Sequence, residues 1–141
     1  MNEQYDDTNI FAKILAGDAP AITVYEDDHT LAFMDVMPQT DGHVLVIPRE
    51  KGVTLYDISD AACLACMRTV KIVGKAVQRA MDADGMTIFQ LNGKGSGQTV
   101  PHVHFHVLPG SLRGLRGHAT EFADQDELKA IAGKIIACLK S

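Results

Sequence analysis

The sequence predicts a single mixed α/β or α+β domain, and three observations carry that prediction. A chain of 141 residues with 46% hydrophobic content is the size of one domain able to bury a real core. Residues 102–108 read His-Val-His-Phe-His-Val-Leu, an alternation of imidazole and apolar side chains with the period of a half-buried β-strand. Between Ser59 and about Ala83, Cys66, Val70, Val73, Val77 and Met81 recur every three or four residues, the period of an amphipathic helix.

The remaining elements follow in order. Thr8 or Asn9 can cap a short helix carrying Phe11, Ile14 and Leu15, with Gly17 as its stop before Pro20. Ile22–Glu26 and Leu31–Asp35 read as strands of a hairpin about the turn-prone Asp27-Asp28-His29. His43–Ile47, nearly continuous in apolar residues and ended by Pro48, reads as a central strand. Ser59 is the expected cap of the long helix and Gly85 its expected stop. Met86–Leu91 is a strand, Asn92–Gln98 a glycine-rich connection, and Val100–Leu108 the antiparallel strand that returns from it. Asp124 and Glu127 stand in capping-box positions before Leu128, Ile131, Ile135 and Leu139, which make a last helix.

Composition excludes several classes of function. A net charge of −5 argues against a broad nucleic-acid footprint. The beginning of the chain is polar and acidic, and no apolar run approaches the roughly 20 residues of a membrane span, so a cytoplasmic protein without membrane contact is expected. Three cysteines do not make a disulfide framework. Cys63 and Cys66 form a CxxC inside the helical pattern, where a packed helix face is the better reading.

The chemistry gathers at the histidines. His29 and His118 are isolated and read as ordinary packed or surface residues. On a strand, His102, His104 and His106 point the same way, about 6.5 to 7 Å apart in sequence order. Imidazole is a nucleophile, a base and a metal ligand near neutral pH. The glycine-rich Asn92–Gln98 directly precedes the run, and such a turn can present backbone N–H groups to an anion, with Asn92, Gln98 and Thr99 adding donors. A histidine face beside an anion cradle suggests phosphate chemistry. Zinc is the rival, but the outer two histidines lie about 13 Å apart on one strand. No HxxxH or second CxxC completes a ligand set, so no metal is expected.

His102-Val103-His104-Phe105-His106-Val107-Leu108 resembles the histidine triad signature of the HIT nucleotide hydrolases and transferases. The resemblance extends to Asn92 with its glycine turn, to Gly97-Gln98-Thr99-Val100, to Gly42-His43 and the strand ending at Pro48, and to Phe11–Ile14 and Phe33–Val36. It covers roughly residues 8–110 in order, with 111–141 as a helical extension of the same single domain. It implies an α+β HIT-like fold, with a five-stranded antiparallel sheet, two main helices and a C-terminal helix, and a homodimer that needs no cofactor. His104 would be the nucleophile toward the α-phosphorus of a nucleotide conjugate. His106 would contact the α-phosphate, and His102, supported by His43, would orient the site. Asn92, Gln98 and Thr99 would hold phosphate or leaving group, Asp35 the ribose hydroxyls, and Phe11, Ile14 and Val36 the purine. The same positions have plainer readings: Asp35 as the start of a turn into Met37-Pro38, Phe11 and Ile14 as helix core, His43 as a satisfied core histidine.

Departures from the family pattern bear on the branch. Two cysteines that bind a structural zinc in many bacterial relatives fall at Asn9 and Ala12, so no structural zinc is expected. Tryptophan is absent. Gly110–Phe122 does not match the ending of the phosphoramidase branch, and the Val and Phe spacers argue against the uridylyltransferase branch. The resemblance thus implies a hydrolase releasing a purine nucleoside monophosphate from a 5′-phosphoramidate or adenylated compound. Dinucleoside polyphosphate hydrolysis, a nucleotide-binding interaction protein with incidental turnover, and a zinc-binding domain are the alternatives.

Overall fold

Asn9 starts the first helix, α1 (Ile10–Ala16), by accepting a hydrogen bond from Ala12 N–H on its side-chain oxygen. Gly17 ends it in the left-handed conformation that glycine adopts without steric cost. This computed structural model describes residues 3–115 and 121–140; His118 lies outside them. The expected hairpin forms from β1 (Thr23–Glu26) and β2 (Thr30–Met34). Its turn is closed by Asp27, whose carboxylate accepts from His29 N–H and Thr30 N–H, an Asx turn of the kind that favours aspartate there. β3 (Val44–Pro48) follows, then α2 (Asp60–Ala80), β4 (Met86–Gln90), β5 (Phe105–Pro109) and α3 (Gln125–Leu139). Ser59 caps α2 by accepting from Ala62 N–H, and Asp124 caps α3 by accepting from Glu127 N–H. Each such cap contributes about 1 kcal/mol.

The five strands form one antiparallel sheet in the order β1-β2-β3-β5-β4, which puts β3 at its centre. All five residues of β3 are buried because both faces of the sheet are covered. Val44 and Val46 face Val70, Val73 and Val77 of α2, and Leu128 and Ile135 of α3, which packs on α2 and β1, extend the same core. Leu45 and Ile47, with Leu31 and Phe33 of β2, face Phe11 of α1. Cys66 is fully buried in the larger core, which is the packed helix face expected for it, and the cysteines are unbridged. In β5, His106 is paired with Leu45, and cross-strand partners share a face, so His106 emerges on the α1 side of the sheet.

Two boundaries differ from expectation by more than one residue. The long helix stops at Ala80, before Gly85, because Asp82 takes the left-handed conformation (φ 50°) and turns the chain. The histidine strand begins only at Phe105, where the ladder with Gln90 starts, and so not at Val100. Ahead of it Val103 N–H donates to Gly52 O, leaving the ladder for the loop after β3. His102 and His104 therefore stand in the segment leading into the strand, and only His106 lies within it.

Candidate active site

Three segments deliver the histidines to the α1 face of the sheet. Gly42, at φ 90° and with Met81 Cγ 2.9 Å from where a Cβ would sit, makes the close turn that brings His43 to the head of β3. β5 carries His106 next to it. The 102–104 stretch is held by backbone, since the Val103 N–H bond to Gly52 O fixes the peptide unit whose carbonyl belongs to His102.

The hydrogen bonds then fix every ring's tautomer. His104 Nδ1 lies 2.7 Å from His102 O; a carbonyl only accepts, so Nδ1 carries the proton and Nε2 keeps its lone pair. His102 Nε2 donates to Pro48 O at 2.9 Å, which leaves Nδ1 to accept from the Tyr5 hydroxyl at 2.6 Å. Gln39 N–H donates to His43 Nδ1, so His43 donates from Nε2 to His106 Nδ1 at 2.9 Å, and His106 is left with its proton on Nε2. That His106 Nε2–H is buried and has no partner among the described residues. A buried donor without an acceptor costs free energy, and this one is held in place by a relay that starts at a backbone amide.

Burial keeps these rings neutral. It lowers His104 to about 4 and His43 to about 3, the latter helped by the neighbouring His104, and it lowers His106 further, with His104 and His43 adding repulsion. His102 is lowered for the same reason. A neutral His104 with a free Nε2 is an imidazole nucleophile already in its reactive form.

Around the histidines the expected pocket residues are partly assembled. Phe11 stands edge-on to His104, ring centroids 5.0 Å apart, and Phe89 stacks on His106 at 4.3 Å. Asp35 follows β2 directly; Oδ1 accepts from Met37 N–H and Oδ2 lies 3.5 Å from His43 Nε2. Asp35 thus serves the turn into Met37-Pro38 with one oxygen and borders the histidines with the other. Burial raises its carboxyl to about 6, opposed only by the Met37 N–H. Ile14 packs in the apolar cluster behind Phe11, and Val36, 38% exposed, receives Ala123 N–H on its carbonyl, which ties the start of the last helix to this rim.

The glycine loop differs most from the anion-cradle reading. The N–H groups of Gly93, Ser96, Gly97 and Gln98 are all bonded within the loop. Gln98 accepts from Gly93 N–H and donates to Val53 O and Val100 O, so its amide clamps the turn. Asn92 accepts from Leu55 N–H and exchanges two bonds with Gln90, bracing the loop against the segment after β3. Thr99 remains exposed and lines a cleft of about 800 Å³ with Thr54, Lys94 and Ser96.

Asp35, His43 and His106 also bring three metal-ligating atoms within 4.8 Å of one another. The relay uses the two histidines: His43 Nδ1 accepts from Gln39 N–H, so its Nε2 carries a proton pointed at His106 Nδ1, and a cation there would have to displace it. At α1, Asn9 is consumed as the helix cap, and with Ala12 it offers no thiolate to zinc.

Sequence reasoning missed Tyr5, Phe89 and Gly52. Tyr5 sits in an acidic, featureless segment, and no short-range pattern links it to His102 at a separation of 97 residues. Gly52 had a signal, a glycine in the loop after a central strand; a Cβ there would lie 2.6 Å from Ile58 Cγ2.

With this geometry in view, known proteins place the chain. The HIT domain model matches residues 16–112. Adenosine 5′-monophosphoramidase of Schizosaccharomyces pombe is 39% identical over 100 residues, covering 71% of this chain and 72% of its own. The Saccharomyces cerevisiae adenosine 5′-monophosphoramidase is 33% identical over 137 residues, covering 93% and 82%. A crystal structure of a Hit-like protein involved in cell-cycle regulation from Bartonella henselae superposes with a TM-score of 0.85 at 40% identity, covering 96% of this chain and 99% of that one. Family model, relatives and fold agree with the triad, and the chain belongs to the HIT domain family.

Proposed function

We propose that this protein hydrolyses nucleotide conjugates, releasing a purine nucleoside monophosphate from a 5′-phosphoramidate or adenylated compound by way of a nucleotidyl-His104 intermediate. The observation that carries the reading is the pairing of a neutral His104, free at Nε2, with the unpartnered Nε2–H of His106 on the same face. Two relatives are named as adenosine 5′-monophosphoramidases, which supports nucleotide hydrolysis as the reaction class.

In the first step His104 Nε2 attacks the α-phosphorus, the P–N or P–O bond to the leaving group breaks, and the leaving group departs with a proton drawn from solvent, which the water of the second step gives back. Charge developing on the α-phosphate is met by His106 Nε2–H, a preorganised donor in a water-poor site. In the second step water attacks phosphorus, the P–Nε2 bond breaks, and the monophosphate leaves with the imidazole restored. Asp35 accepts from the ribose hydroxyls and Phe11 and Val36 border the base, with Ile14 supporting Phe11 from behind. Asn92 and Gln98 act by shaping the loop, and Thr99 is the loop's free hydroxyl toward the leaving group.

A homodimer fits the sheet. β4 is an edge strand that exposes Ile88, 47% accessible, and the helices lie against β1, β2, β3 and β5. Such an edge is a ready template for a second copy. Among the described residues no helix is long and apolar enough to cross a membrane.

Phosphorus NMR of the protein with equal amounts of adenosine 5′-phosphoramidate and diadenosine triphosphate tests the substrate class. Faster loss of the amidate supports the proposal, faster loss of the triphosphate replaces it with polyphosphate hydrolysis, and no turnover of either refutes the enzymatic reading.

A further inference from the structure

The segment ahead of α1 lies outside the residues matched by the family model, yet it reaches the first histidine of the triad. The cap of α1 folds it there. Asn9 Nδ2 and Asn9 N both donate to Asp6 O, and Asp6 Oδ1 accepts from Thr8 N–H and Thr8 Oγ1, so residues 6–9 form a tight bend. The bend returns Tyr5 to the site, where its ring meets the His102 ring edge-on at 5.5 Å and its hydroxyl lies 2.6 Å from His102 Nδ1. Two surface ion pairs flank the contact, Asp7 with Lys51 at 2.7 Å and Glu3 with Lys94 at 3.7 Å.

We infer that Tyr5 is a positioning residue for the nucleophile, acting through His102. The His102 ring has two anchors, Pro48 O on Nε2 and the Tyr5 hydroxyl on Nδ1. Its own carbonyl is the acceptor that holds the His104 Nδ1 proton. Tyr5 is the only one of these anchors outside the sheet and its loops. A phenol donating to Nδ1 excludes the tautomer in which His102 would turn its Nδ1–H elsewhere, and so keeps both ring and carbonyl in the orientation His104 needs. Burial raises the Tyr5 phenol, so it stays a donor at neutral pH. The chain is Tyr5 O–H to His102 Nδ1, His102 O to His104 Nδ1–H, and His104 Nε2 to substrate.

This inference rests on His104 being the nucleophile, and its test separates the two. Tyr5→Phe keeps the ring contact and deletes the hydroxyl; Tyr5→Leu removes both, which isolates packing. Ring nitrogen-15 spectra of the uniformly labelled full chain read the tautomers without any substrate. For Tyr5→Phe we expect the His102 Nδ1 resonance to move downfield as its hydrogen bond is lost, and an Nε2–H population of His104 to appear. With adenosine 5′-phosphoramidate, kcat should fall about tenfold, as for loss of one orienting hydrogen bond, with KM within about twofold. Unchanged His102 and His104 resonances overturn the inference, as does a tautomer shift with undiminished kcat. If the wild-type protein turns over no nucleotide, the functional proposal falls, and the His104 tautomer population alone then decides whether Tyr5 positions it.

Discussion

His104 Nδ1 sits 2.7 Å from the carbonyl oxygen of His102, two residues earlier in the chain, and that single bond decides which nitrogen of His104 can react. Because the acceptor is backbone, the nucleophile's orientation is set by the path of the main chain between Gly52 and β5. Replacing His104 with Ala should lower kcat by at least about a thousandfold, the scale seen when a covalent catalyst is deleted, while nucleoside monophosphate affinity stays within a few fold. Single-turnover kinetics and equilibrium titration with AMP would check the two halves.

His106 carries a buried donor that has no partner among the described residues. His106→Ala should cost about 10² to 10³ in kcat, as removal of one preorganised donor to developing oxyanion charge does, with a smaller change in KM. His43→Ala should produce a weaker version, because it leaves the donor in place but removes the relay that fixes its tautomer. Steady-state kinetics on the two variants orders them.

Acidification should reveal the buried histidines twice. His104 at about 4 stays neutral where an exposed imidazole near 6.5 would be mostly protonated, so kcat should hold to about pH 5. Asp35, raised to about 6, loses its charge earlier, so KM should rise below about pH 6 as its acceptor for ribose is protonated. Stability follows linkage: between 6.5 and about 3 the unfolded chain binds protons that native His43 and His104 refuse, so stability is present above 6.5 and lost as pH falls toward 3. Asp35 works in the opposite sense, its contribution present below 3.8 and lost as pH rises through about 6. The histidines outnumber it, and melting temperature should decline on acidification, with a shallower decline in His43→Asn.

Gly52→Ala should destabilise the fold by about 1–3 kcal/mol, since a Cβ would meet Ile58 Cγ2 at 2.6 Å in a buried cluster. It should also reduce kcat, because Gly52 O holds the peptide unit of His102 and Val103. Thermal melts and turnover measured together check both effects.

Much of this site was legible in the chain because its chemistry is local. The triad, the capped α1 with Phe11, the hairpin and the central strand from His43 each carry a short-range pattern, and each element forms. What the sequence concealed is long-range and polar. The alternation at 102–108 suggested one continuous strand, but Val103 is claimed by Gly52 across the fold, which no periodicity reveals. The glycines of 93–97 suggest an anion cradle, but Gln98 folds back on Gly93, Val53 and Val100, and the N–H groups of Gly93, Ser96, Gly97 and Gln98 are engaged within the loop. Tyr5 has no pattern at all, because its significance lies in a partner 97 residues away.

The most direct test of the central claim is to find the covalent intermediate. Wild-type protein mixed with adenosine 5′-phosphoramidate, quenched at alkaline pH to preserve the acid-labile P–N bond, digested and mapped by mass spectrometry should carry adenylate on the peptide containing His104, and His104→Ala should carry none. Turnover that persists undiminished in His104→Ala, or an adduct mapped to another residue, would contradict the account.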